Sequence, residues 1–116
     1  MDGQINIYCD SSTNEACYVI EGQDPIITPY PKTVTVNVGE YLAVILALKE
    51  AKRLKLKQFM LMTDSQLIVN QTNGAWKCRK AHLLPYRDRV RELLSELGAD
   101  LAWVRREVNL AGLVLE

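Results

Sequence analysis

Three carboxylates stand where an acidic side chain is costly unless it has a task. Asp64 closes the apolar run "FMLMT", Asp10 closes "INIYC", and Glu40 sits beside a series of small apolar residues at helical spacing. A lone Asp at such a place serves equally well as a solvated turn residue. Three acids on three separate elements can meet only through the fold, and once clustered they repel and raise one another's pKa values. A divalent cation relieves that repulsion, and an all-oxygen ligand set suits Mg²⁺ or Mn²⁺. The spacing alone therefore points to a metal site.

The elements that must carry these acids follow from periodicity. Residues 5–11 alternate as a β-strand, with Ile5, Ile7 and Cys9 on one face and Tyr8 and Asp10 on the other. "STN" is a turn cluster, and "EACYVIEG" returns as a second strand to give a hairpin. "PIITPYPK" holds too much proline for a central strand, and the strict alternation of "TVTVNV" predicts the third strand, at a sheet edge. Over residues 39–54 the period becomes helical, and Glu40 in the first turn shares a face with Ala43, Val44, Ala47 and Ala51. A carboxylate there is favoured by the helix dipole and disfavoured by burial.

"KQFMLMT" reads as a central strand covered on both faces, and "SQLIVNQ" as a short helix stopped at Asn73 and Gly74. A longer helix has Pro85 in its first turn, Tyr86, Val90, Leu93 and Leu97 along one face, and Gly98 as its stop. "DLAWV" is the last strand, and "NLAGLVLE" is a terminal helix capped by Asn109. The order β-β-β-α-β-α-α-β-α predicts an α/β protein with a mixed sheet, three antiparallel strands first, flanked by helices.

Bulk properties narrow the setting. At 116 residues, 48% of them hydrophobic, the chain reads as one globular domain over residues 1–116. No apolar run approaches the ~20 residues of a membrane span. The opening "MDGQINIYCD" lacks a basic segment followed by an apolar one, so the expected location is cytoplasmic. Cys9, Cys17 and Cys78 have neither zinc spacing nor an even count, and Cys9 and Cys17, expected on neighbouring strands, read as reduced packing residues. Basic and acidic residues number 14 each, so a nucleic-acid surface must be a local basic patch, and its binding salt-sensitive.

Four stretches in order make the chain resemble the type I ribonuclease H family along nearly its whole length: "YCDSS", "TVNVGEYLAVILAL", "TDSQLIVNQ" and "WVRREVNLAG". The resemblance implies an RNase H-like five-stranded mixed sheet, with two parallel strands after the antiparallel three. It makes Asp10, Glu40 and Asp64 the catalytic acids and metal ligands. Asn37, Ser65 and Gln66 match positions that contact nucleic acid or support the acids. The family's fourth carboxylate falls at Gly112, and Glu116, one helical turn further on, is the candidate to replace it. The family's loop histidine has no counterpart. His82, the one histidine, reads as a surface or capping residue.

The implied chemistry is hydrolysis at a two-metal site holding Mg²⁺ or Mn²⁺, with Asp10 shared between the ions. The implied substrate is the RNA strand of an RNA–DNA hybrid, cut to 5′-phosphate and 3′-hydroxyl ends. Asn37 and Gln66 are candidates for 2′-hydroxyl contacts. "WKCRK" gathers Trp76, Lys77, Arg79 and Lys80, and Arg105 and Arg106 follow the last strand. Trp76 and Lys77 are the favoured substrate contacts of these. Two other readings stay open: an RNase H-like domain that binds nucleic acid or protein without cleaving, and a nuclease of this fold acting on another substrate. The oligomeric state is left open as well.

Overall fold

Alternating burial builds the first hairpin. Strands β1 (Asn6–Ser11) and β2 (Glu15–Ile20) pair antiparallel, with Ile7 opposite Ile20 and Cys9 opposite Tyr18 on one face. Tyr8 opposite Val19 and Asp10 opposite Cys17 occupy the other face. Cys9 and Cys17 are both buried and free, on opposite faces of the sheet, which is the packing role their types predict. The computed structural model describes residues 4–116, so the first three residues of the opening segment considered above lie outside it.

The third strand is not where alternation places it. Strand β3 is Ile26–Pro29, inside the proline-rich segment, antiparallel to β2 at the sheet edge. An edge tolerates Pro29 because its outer side needs no ladder donor. Residues 33–38 instead lead into helix α1 (Val36–Arg53), whose N-cap Thr35 accepts the Val38 N–H at 3.3 Å. The alternating Thr and Val residues bury no common face, and Val36 is 65% exposed. Local hydrogen bonding by a threonine cap thus overrides β-propensity. The helix begins three residues earlier than its apolar period, so Glu40 lies in the second turn, where the helix dipole acts weakly.

The remaining elements are β4 (Met60–Thr63), α2 (Gln66–Thr72), α3 (Leu84–Leu97), β5 (Asp100–Trp103) and α4 (Leu110–Leu115). Short 3-10 turns precede α3 and α4, and exposed His82 lies in the first. The sheet order is β3-β2-β1-β4-β5, with β4 parallel to both β1 and β5. Helices α1 and α3 cover one face, where Tyr41, Val44, Leu48, Val90 and Leu93 pack on Ile7, Cys9 and Leu61. Helix α4 covers the other through Ala111, against Cys17 and Val19. Among the described residues no helix is long and apolar enough to cross a membrane.

Gly39 decides how closely α1 approaches β1. A Cβ there would stand 2.5 Å from Ser11 Oγ and 3.0 Å from the Ser12 carbonyl oxygen. Replacing Gly with Ala inside a helix normally stabilises by up to ~1 kcal/mol. Overpacking costs ~1–3 kcal/mol and should win at this position. Gly39→Ala is therefore expected to lower the melting temperature. An unchanged or raised melting temperature would show that the strand end yields freely.

Candidate active site

The parallel pairing of β1 with β4 sets the centre. Tyr8 is level with Met62, so two residues further on Asp10 comes level with Asp64, just past the end of β4. Side chains two apart share a face, and neighbouring strands lie ~4.8 Å apart. Glu40 joins them from α1, and ligand oxygens of Asp10, Glu40 and Asp64 all lie within 4.8 Å of one another. All three side chains are partly buried.

Supports come from three elements. Ser65 caps α2 by accepting the Ile68 N–H at 3.3 Å, and its side chain acts to lower the Glu40 pKa. The Trp103 indole N–H donates to the Asp64 carbonyl oxygen at 3.2 Å. Asn109 is fully buried: Nδ2 donates to the Cys9 carbonyl at 3.0 Å and to Asp64 Oδ2 at 3.3 Å, while Oδ1 caps α4 by accepting the Ala111 N–H. Sequence reading finds Asn109 only as a cap. Its tie to Asp64 spans 45 positions in sequence, and no local signal announces it.

Electrostatics reflect the crowding. Burial, and then the Asp10 and Asp64 charges, push Glu40 up to about 7, and Ser65 and Arg106 only partly offset this. Asp10 is also raised, by burial and then by Asp64. Hard carboxylate oxygens that gather at this cost fit a divalent cation, which would hold all three ionised. Cysteine and histidine take no part in the cluster.

The other expected residues lie around this centre at varying range. Asn37 is one turn before Glu40 on α1, and Gln66 is the exposed first residue of α2. Trp76 and Lys77 are exposed beyond the far end of α2, with the Trp76 N–H returning to the Asn70 carbonyl at 3.0 Å. Gly112 abuts the acids: a Cβ there would lie 3.2 Å from Asp10 Oδ2 and 3.7 Å from Asp64 Oδ2. Glu116 stands outside the close trio but lines a cleft of about 590 Å³ together with Asp10, Arg106, Glu107 and Gly112. Sequence reading treats Arg106 as one of two basic residues after the last strand, and the cleft singles it out.

Two outcomes follow. Glu40 is protonated in the folded, metal-free protein at pH values where it is ionised in the unfolded chain. The contribution of Glu40 to stability is therefore fully present below a pH of about 4.5 and is lost as pH rises through about 7, by on the order of 3 kcal/mol. Glu40→Gln should raise the melting temperature in chelator at pH 8 and leave it nearly unchanged at pH 4.5; equal effects at both would refute the burial of a charge there. Asn109→Ala leaves the Cys9 carbonyl and the α4 cap unpaired, and should cost about 2–3 kcal/mol in urea melts at neutral pH.

Comparison with known proteins agrees with this geometry. Residues 9–113 match the family described as reverse transcriptase-like. RNase H1 from the halophilic archaeon Halobacterium salinarum NRC-1 is similar in structure, with TM-score 0.86 over 97% of this chain and 94% of that one, at 28% identity. LC11-RNase H1, isolated from compost by a metagenomic approach and solved in complex with an RNA/DNA hybrid, shares the fold. Its TM-score is 0.80 over 92% of this chain and 89% of that one, at 24% identity. The bifunctional protein Rv2228c of Mycobacterium tuberculosis is 33% identical over 76 residues, 65% of this chain. That stretch is 21% of the length of this curated relative. A match running from the middle of β1 into α4 places this protein in the reverse transcriptase-like family, and over nearly the whole chain its fold is that of type I ribonuclease H structures.

Proposed function

We propose that this ribonuclease H-type hydrolase cuts the RNA strand of RNA–DNA hybrids in a metal-dependent reaction, leaving 5′-phosphate and 3′-hydroxyl ends. The observation that carries the reading is the meeting of Asp10, Glu40 and Asp64 within 4.8 Å beside an open cleft. LC11-RNase H1, which shares the fold, was solved with an RNA/DNA hybrid, and that supports the substrate class. Two ions, Mg²⁺ or Mn²⁺, would supply an attacking hydroxide and stabilise the leaving 3′ oxygen.

The chain's own residues divide the remaining work. Asp10 would be the shared ligand, and Glu40 and Asp64 would each help to hold one ion. Glu116 serves as the fourth acid from the cleft wall. Ser65 favours the ionised form of Glu40. Arg106 lines the cleft close enough to lower the pKa values of Asp10 and Glu40, and is available to a scissile phosphate. Asn37 and Gln66 flank the acids and meet 2′-hydroxyl groups across a shallow minor groove. Trp76 and Lys77 engage the strand further along, by stacking and by charge.

Binding without cleavage is the competing reading, and the absence of a side chain at Gly112 is what favours it. A panel of labelled hybrid, duplex DNA, duplex RNA and single strands, each with Mg²⁺, Mn²⁺ or chelator, separates the two. Hybrid cleavage is expected with Mg²⁺ or Mn²⁺ and not with chelator. Asp64→Asn should abolish it, and unchanged cleavage would remove Asp64 from the mechanism. With Glu116 as fourth acid, Glu116→Gln should lower Mg²⁺ activity roughly tenfold. Gly112→Asp should add little, since its Cβ crowds Asp10. The reverse pattern would make position 112 the true vacancy.

A further inference from the structure

Tyr30 has no role in the reading above, yet its hydroxyl joins the two elements that carry Asp10 and Glu40. Ser11 immediately follows Asp10, and Gly39 immediately precedes Glu40. The Tyr30 hydroxyl donates its one proton to the Gly39 carbonyl at 2.9 Å and accepts from the Ser11 hydroxyl at 2.8 Å. One side chain, from the segment after β3, thus bridges the residues next to two of the three acids.

The tyrosine is itself anchored. Its backbone N–H donates to the Asn14 carbonyl in the β1–β2 turn at 2.8 Å, and its ring packs against the main core. The surface it bridges is a close one, since a Cβ on Gly39 would fall within 2.5 Å of Ser11 Oγ. Elsewhere α1 meets the sheet through apolar side chains, among them Tyr41, Val44, Ala47 and Leu48. Such contacts are non-directional and resist sliding along the helix axis poorly. A hydrogen bond to a fixed carbonyl is directional. Cation ligands must be held to within ~0.5 Å, a tolerance that packing of this kind does not ensure.

We propose that Tyr30 is a positioning residue whose hydroxyl locks the start of α1 to the end of β1 and so sets the Glu40–Asp10 spacing for cation binding. The proposal rests on the metal-dependent reading above. Tyr30→Phe keeps the ring and removes the bridge, and Ser11→Ala removes one of its two partners. Mn²⁺ affinity by titration calorimetry, melting in chelator, and kcat and KM on a hybrid are to be measured for both variants. Tyr30→Phe is expected to weaken Mn²⁺ binding about tenfold and lower kcat at unchanged KM, with Ser11→Ala showing a smaller change in the same direction. A lowered melting temperature with unchanged Mn²⁺ affinity in both variants would make the tyrosine merely structural and overturn the proposal. If Tyr30→Phe fails to fold, the Ser11→Ala titration decides alone. Wild-type protein that binds Mn²⁺ without cutting hybrid would refute the substrate reading only, and the variant titrations would still decide Tyr30. A wild type that binds no Mn²⁺ would overturn both.

Discussion

The register between β1 and β4 is the constraint on which everything else in this molecule rests. Ile7 lies opposite Leu61, both fully buried under α1 and α3, and that apolar match holds the pairing. A slip of one residue would turn both runs of side chains to the wrong faces. It would also carry Asp10 away from Asp64. The acidic centre is therefore held in place by hydrophobic burial three residues away from it on each strand, an arrangement that separates what stabilises the fold from what the site does.

The centre itself works against stability. Three carboxylates share one small region at the edge of the buried core, and Glu40 is driven up to about 7 as a result. The supports are spread across the structure: Ser65 at the start of α2, Trp103 at the end of β5, Asn109 before α4. Trp103 and Asn109 hold backbone and carboxylate oxygens beside the acids, and none of the three can neutralise them. Arg106 supplies a counter-charge at longer range. A bound cation is the group that would turn this local penalty into affinity.

Helix α4 gives the site its particular character. Ala111 is fully buried against the sheet, and Gly112 brings the helix backbone against Asp10 and Asp64. A Cβ at position 112 would lie 3.2 Å from Asp10 Oδ2, and Glu116 lines the same cleft from the end of the helix.

Much of this was legible in the chain. Hydrophobic period located β1, β2, β4, β5 and the four helices, because each buries a face against the sheet and must repeat with its own geometry. The stops at Gly74 and Gly98 were legible for the same local reason: both take positive φ, which glycine adopts without strain. The alternating threonines and valines misled, since Thr35 caps α1 through the nearby Val38 N–H, while the edge position that tolerates Pro29 is set by pairing with β2. The types of Asp10, Glu40 and Asp64 were in the sequence, and so was the need for a cation should they meet. Only the tertiary structure decided that they do meet. The same holds for Asn109 tied to Asp64 and Tyr30 bridging Ser11 and Gly39, because bonds across long separations follow from strand register and helix docking, which no local pattern encodes.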